Sequence, residues 1–140
     1  MIQSKELREG NIINYLGKAV VVNVNIIHAV KRIVHPSEMY TPIPLSPDIL
    51  ERCLGVQAHF GKLLRVYSFD ISNGSGYKTI SLTVEEGNQY IYLRQGDLKS
   101  ERHNDAVITI YNADVRGPIM LHYFQNLFID LTGEELTITL

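Results

Sequence analysis

Apolar residues recur at every second position along much of this chain, and this period is typical of strands that bury one face. Between residues 19 and 27, for example, Val20, Val22 and Val24 fall on one face. Clusters of turn-forming residues separate these runs at short intervals, which indicates a meander, a sandwich or a small barrel. The predicted strands cover Ile12–Tyr15, Ala19–Ile27, Ala29–Val34, Leu63–Ser72, Tyr77–Val84, Gln89–Arg94 and Ala106–Tyr111, followed by a closing strand with Leu136, Ile138 and Leu140 on one face.

Two stretches depart from the alternation and carry helix signals. In the first, Ser46 suits an N-cap, Pro47 suits the first helical position, and Gly55 closes a short helix. The second runs from Pro118 to about Leu131 with a helical period, and Gly133 follows as a C-terminal cap. Its broad apolar face contains Ile119, Met120, Tyr123, Phe124, Leu127, Phe128 and Leu131.

These elements predict an α+β fold that is mainly β. It consists of an antiparallel meander or partly open barrel, one short central helix and one C-terminal helix packed on the sheet. The spacing of Gly10-Asn11, Gly17-Lys18 and Val22 resembles the opening of an SH3-like barrel, and this resemblance implies SH3-like character in the N-terminal part. The 140 residues fit a single domain over positions 1–140.

The single cysteine and the lack of targeting segments predict a cytoplasmic protein. Cys53 excludes an internal disulfide, and its place on the apolar stripe of the first helix predicts a buried, inert thiol. The first residues lack the basic-then-apolar order of a signal peptide, and no apolar run approaches the length of a membrane span. We therefore expect no membrane partner.

Charge is unevenly distributed along the chain although the net value is only −2. Residues 1–35 have a balance of +3, residues 36–100 of −1 and residues 101–140 of −4, so the two ends would attract each other within the fold or between subunits. A small barrel that binds nucleic acid would use the basic residues of the first segment. These candidate nucleic-acid contacts are Lys5, Arg8, Lys18, Lys31 and Arg32.

The sequence contains no pattern of catalytic or metal-binding residues. The five histidines have neither helical i,i+4 spacing nor a His-x-His arrangement. The glycine-rich stretch at residues 73–76 lacks the Lys-Ser/Thr ending of a phosphate-binding loop and is predicted as a hairpin turn. We therefore assign no catalytic residue, no metal ligand and no cofactor. A small enzyme stays open as an alternative if His28, His59 or His122 meets a carboxylate in the fold.

The polar side of the C-terminal helix offers candidate contacts with a partner. His122, Gln125 and Asn126 lie opposite the apolar face, and Ile129 falls in the middle of these polar positions. An isolated exposed isoleucine needs no function, but it also suits a contact with another protein or with a second copy of the chain. We therefore take His122, Gln125, Asn126 and Ile129 as candidate partner contacts.

Motifs at the start, middle and end of the chain carry a family resemblance. They are Leu7-Arg8-Glu9-Gly10-Asn11, Pro42-Ile43-Pro44-Leu45-Ser46-Pro47 and Gln125-Asn126-Leu127-Phe128 with Leu131-Thr132-Gly133-Glu134-Glu135-Leu136. With them the chain resembles a family of short uncharacterised proteins from gut bacterial genomes and their prophages and other mobile elements. The resemblance transfers no catalytic residue and implies an accessory protein of such an element.

From the residues and the resemblance together, the hypothesis is a non-enzymatic protein-interaction module whose partner is another protein or a second copy of itself. The alternatives are the nucleic-acid-binding small barrel and the small enzyme with a site assembled from dispersed residues.

Overall fold

The computed structural model of the chain describes residues 2–32, 39–60, 65–71, 80–85, 90–95 and 107–139. The chain divides into two compact units: unit 1 is Met1–Leu45 with Ile119–Leu136, and unit 2 is Ser46–Pro118 with Thr137–Leu140. The division into two units does not decide whether the chain is one domain, so the single domain over residues 1–140 stays a prediction. The turn predicted at residues 73–76 and the inward position predicted for Leu140 lie outside the described residues.

Unit 1 is built on a three-stranded antiparallel sheet with the strand order β2-β1-β3. Its strands are β1 (Ile12–Tyr15), β2 (Lys18–Val21) and β3 (Tyr40–Thr41), and a 3-10 helix at Ser4–Glu6 precedes them. The turn between β1 and β2 is two residues long, so β1 and β2 form a tight hairpin and β2 lies at an edge of the sheet.

A helix, α1 (Val24–Arg32), occupies a stretch that was predicted as strand. The side-chain oxygen of Asn23 accepts a hydrogen bond from the amide of Ile26 at 3.0 Å, which is the bond of an N-cap. The strand predicted at Ala19–Ile27 therefore ends at Val21, and the strand predicted at Ala29–Val34 is helical as far as Arg32. The prediction of a third strand in the SH3-like opening is therefore wrong over these residues. The N-cap and the helical period of the apolar residues outweigh the short alternation.

The core of unit 1 lies between one face of the sheet, α1 and the N-terminal segment. Tyr15 and Tyr40 stand opposite each other on β1 and β3, with ring centroids 5.0 Å apart. The N-terminal segment therefore contributes core residues although little of it is regular structure. The buried members of the cluster are Ile2, Leu7, Ile13, Val22, Val30 and Tyr40.

Unit 2 contains a five-stranded antiparallel meander whose strands lie in sequence order. They are β4 (Val56–Phe60), β5 (Arg65–Asp70), β6 (Ile80–Glu85), β7 (Tyr90–Gln95) and β8 (Val107–Asn112). The meander predicted for the middle of the chain is confirmed, and β4 is an additional strand that the alternation did not identify.

Buried apolar side chains line one face of this meander. Ile91 is buried, whereas its neighbours Tyr90 and Tyr92 are half-buried and share the opposite face, with ring centroids 5.7 Å apart. Successive residues of β7 therefore lie on opposite faces of the sheet. The buried face includes Tyr67, Phe69, Val84, Ile91 and Tyr111.

Three more helices complete the described residues, namely α2 (Pro47–Glu51), α3 (Ala113–Arg116) and α4 (Leu121–Thr132). The N-cap predicted at Ser46 and the C-cap predicted at Gly133 are confirmed. The hydroxyl of Ser46 accepts a hydrogen bond from the amide at the third helical position of α2. Gly133 ends α4 in the left-handed region with a φ of 74°.

The boundaries of these helices differ from the prediction. The first predicted helix ends at Glu51 rather than near Gly55, the second begins at Leu121 rather than near Pro118, and α3 was not predicted. Among the described residues, the predicted closing strand is reduced to a single bridge between Ile138 and Cys53.

The α+β class, mainly β and antiparallel, is confirmed. The strands that the structure describes form two open sheets rather than a closed barrel, and α4 packs on β1. None of the helices in the described part of the chain has the length and apolar character that crossing a bilayer requires.

Candidate functional site

Gln125 on α4 is buried and holds the start of β1 through its side-chain amide. Its Oε1 accepts a hydrogen bond from the amide of Ile12 at 2.8 Å, and its Nε2 donates to the carbonyl of Gly10 at 3.2 Å. The side chain is only 5% exposed. One carboxamide therefore satisfies a backbone donor and a backbone acceptor, as a neighbouring strand would.

Asn11 and Asn126 extend this arrangement toward the N-terminus. Asn11 is 1% exposed; its Nδ2 donates to Oδ1 of Asn126 at 2.8 Å, and its own Oδ1 accepts from the amide of Arg8 at 2.8 Å. Nδ2 of Asn126 then donates to the carbonyl of Glu6 at 2.8 Å. We call Asn11, Gln125 and Asn126 the amide clasp, because their side chains join α4 to residues 6–12. A network whose members all have partners rigidifies a fold, whereas a partial one weakens it.

A small polar cleft lies beside the clasp. It encloses about 20 Å³, which is room for about one water molecule. Gly10 is required here, because its φ is +91° and a β-carbon would come within 3.1 Å of Oε1 of Glu135. The cleft is too small for an organic substrate. Its lining residues are Glu9, Gly10, Asn11, Gln125, Ile129, Glu135 and Leu136.

His122 occupies the first turn of α4 and is also buried. Its Nδ1 has no hydrogen-bond partner among the residues that the structure describes. Burial lowers the pKa of the His122 imidazole, and the carboxylate of Glu6 opposes this shift by favouring the charged form. The histidine is therefore held as the neutral form in a place where protonation is costly.

The solvent-exposed polar face predicted for α4 is wrong at two of its positions. His122 and Gln125 are buried, and Asn126 and Ile129 are half-buried. For Gln125 and Asn126 the reason is that their side-chain amides form hydrogen bonds with the backbone of residues 6–12, so α4 directs these polar side chains inward. Partner contact through these four residues stays a prediction, and only Asn126 and Ile129 retain partial exposure for it.

Among the described residues of unit 1, the large exposed apolar side chains lie on the β1–β2 hairpin and at the start of α1. Leu16 is 64% exposed, Val21 is 60% exposed and Val24 at the start of α1 is 48% exposed. Val20 packs on the core of unit 1, so its neighbours Ala19 and Val21 point away from that core. We call Leu16, Ala19, Val21 and Val24 the hairpin surface.

Leu16 adds backbone strain to this exposure. Its φ is +49°, and among the described residues it is the one residue other than glycine with a positive φ. The left-handed region suits glycine and asparagine in a two-residue hairpin turn, and it costs a bulky residue roughly 1–2 kcal/mol. Such strain at an exposed position favours a role outside the folding of the chain.

The five basic candidates for nucleic-acid contact all lie in unit 1 and are exposed. One of them is already paired, since Nη1 of Arg8 donates to Oδ1 of Asp130 at 2.8 Å. This ion pair joins the basic segment of residues 1–35 to the acidic segment of residues 101–140 within one chain. Contact with nucleic acid through Lys5, Arg8, Lys18, Lys31 and Arg32 stays a prediction.

The described residues contain no metal-binding cluster. No three of their His, Cys, Asp and Glu side chains converge as metal ligands would. His28 is exposed on α1, and the cleft beside the clasp contains no histidine. Cys53 is buried, its thiol donates to the carbonyl of Ile49 at 3.4 Å, and burial raises the pKa of Cys53 to about 11. The thiol is therefore protonated at neutral pH, which fits the predicted inert cysteine.

Comparisons with family models, with curated proteins and with solved structures found no match to this chain. The resemblance to short proteins of gut bacterial mobile elements stays a prediction.

Proposed function

We propose that the protein is a non-enzymatic protein-interaction module that associates with a second copy of itself through the hairpin surface. The observation that carries this proposal is the exposure of Leu16, Val21 and Val24 along one hairpin and the helix that follows it. The family resemblance supports an accessory protein of a mobile element as the setting, and the single cysteine supports a cytoplasmic location.

The hairpin surface is not explained by the folding of unit 1. Val20 already supplies the core with the inward side chain of β2. Val21 next to it could be threonine at similar strand propensity without exposing an apolar side chain. Burying a fully exposed valine or leucine contributes roughly 1.5–3 kcal/mol, and a symmetric pair of copies would bury each position twice. Self-association therefore makes use of side chains that the fold leaves in water.

Sedimentation velocity over protein concentrations from about 1 μM to about 1 mM tests the proposal. We expect the wild-type chain to shift from monomer to dimer across the series. We expect Val21→Asp to remain monomeric, because it would bury a charge against the second copy. Val115→Asp is the matched control, since Val115 is 81% exposed on α3 of unit 2 and lies outside the hairpin surface.

The proposal fails if the wild-type chain stays monomeric throughout the series. It also fails if Val21→Asp associates as the wild-type chain does. Far-ultraviolet circular dichroism of both variants must match the wild-type spectrum, so that a loss of association reports the surface rather than the fold.

A further inference from the structure

We infer that the two copies join by pairing their β2 strands edge to edge in antiparallel orientation, with Val20 of both copies at the two-fold axis. This inference rests on the proposed self-association and specifies its geometry. The result is a continuous sheet that runs through both copies, with the order β3-β1-β2 continued by β2-β1-β3.

The first support is the free edge of β2. Within the described residues, β2 pairs with β1 along one edge, and no strand pairs with its other edge. The amide of Val22 donates to the carbonyl of Asn11 at 2.7 Å, which fixes which residues of β2 face β1. Because successive residues direct their backbone groups to opposite sides, Ala19 and Val21 present N–H and C=O at the free edge.

The second support is the symmetry of those positions. In an antiparallel pair of strands related by a two-fold axis, a residue that precedes the axis in one copy lies opposite the residue that follows it by the same number of positions in the other copy. With Val20 at the axis, Ala19 faces Val21 of the second copy and Val21 faces Ala19, so the free backbone groups of both edges are matched. A register shifted by two residues in either direction places an edge residue opposite Gly17 or Asn23, which lie outside β2.

The third support is that this register also pairs the exposed apolar side chains. Ala19 and Val21 of the two copies become direct cross-strand neighbours. The hairpin turn of one copy points toward the start of α1 in the other, which brings Leu16 toward Val24. Lys18 lies opposite Val22 of the second copy, so like charges do not face each other. Backbone register and side-chain chemistry thus select the same arrangement.

Amide hydrogen exchange followed by NMR tests the pairing on the wild-type chain. On going from dilute to concentrated protein, exchange at Ala19 and Val21 should slow at least about tenfold. Exchange at Val20, whose amide faces β1, should not change with concentration. If the chain associates but amide exchange at Ala19 and Val21 does not slow, the edge pairing is wrong.

Ala19→Pro tests the same contact by mutation, because proline removes the edge N–H and is tolerated where that N–H faces solvent. We expect the dimer to dissociate about 10- to 100-fold more readily, since one donor is lost from each copy. Ala19→Ser is the control, because it keeps the N–H and should associate like the wild-type chain. Association of Ala19→Pro at wild-type strength would refute the edge pairing and leave the proposed function standing, whereas a monomeric wild-type chain would refute both.

Discussion

Replacing Gln125 by leucine removes the central member of the amide clasp with little change in helix propensity. The change leaves two backbone groups without partners, the amide of Ile12 and the carbonyl of Gly10. Both bonds join positions that are more than 110 residues apart in sequence, so their loss loosens α4 from the strand it packs on.

The magnitude follows from the surroundings of each orphaned group. The hydrogen bond at Ile12 is buried, and an unsatisfied buried donor costs about 1–3 kcal/mol. The carbonyl of Gly10 is partly buried beside a cleft that has room for one water molecule, so its loss is at the low end, about 1 kcal/mol. We therefore expect Gln125→Leu to lower the free energy of unfolding by about 2–4 kcal/mol.

Urea denaturation provides the measurement, with the slope of the transition compared between variants to confirm equal exposure on unfolding. Asp130→Ala is the control on the same helix, since it breaks an ion pair with Arg8 whose side chains are both about half exposed. That pair contributes at most about 1 kcal/mol. A free energy of unfolding for Gln125→Leu within about 0.5 kcal/mol of wild type would refute the role of the clasp.

Three further predictions concern the stability of unit 1. Leu16→Asn should raise the free energy of unfolding by about 0.5–1 kcal/mol in urea, because asparagine tolerates the positive φ at this turn; a decrease would contradict the strain. Because burial lowers the pKa of His122, the unfolded chain binds the proton more readily. Stability should therefore be fully present above about pH 6.5 and decline below it. Thermal melts of His122→Gln should show less of this decline, and an equal decline would assign it to other groups. Phe124→Ala should cost about 3–5 kcal/mol at a fully buried position and Leu127→Ala, which is half-buried, closer to 2 kcal/mol; equal costs would mean that α4 is rotated.

The elements that the sequence predicts well are those whose signals are local. Ser46 with Pro47 identifies the start of α2, Gly133 identifies the end of α4, and alternation identifies four of the five strands of the meander, β5 to β8. Each of these signals depends on residues within one turn or one strand, so it can be recognised without knowledge of distant contacts. Helix length is less local, which is why α2 ends earlier than the cap glycine indicated.

The error at α1 shows where periodicity is ambiguous. Val22, Val24 and Ile26 alternate as a strand would, but Ile26, Ile27 and Val30 also form a helical stripe. A local signal existed, because Asn23 stands where an N-cap belongs and Lys31-Arg32 complements the dipole of the last turn. Giving more weight to the cap than to the alternation would have predicted this helix.

The amide clasp could not have been found from sequence. Asn11 and Gln125 are 114 positions apart, and polar residues on one side of a helix ordinarily face solvent. Only the fold places backbone groups of residues 6–12 beside them. The hairpin surface was missed for a related reason, since its exposure depends on β2 ending at Val21 and α1 beginning at Val24.

The clasp and the hairpin surface are two sides of one allocation of residues in unit 1. Asn11 and Gln125 have polar side chains that could face water, but they are buried with a hydrogen bond at both the oxygen and the nitrogen of the amide. Leu16 and Val21 have apolar side chains that could be buried, but they face water. A chain constrained only by its own folding would gain from the opposite assignment. The clasp can be explained within the fold, because α4 supplies the bonds that the start of β1 lacks. The hairpin surface has no such explanation among the described residues, and the proposed self-association would account for a strained leucine beside the free edge of β2.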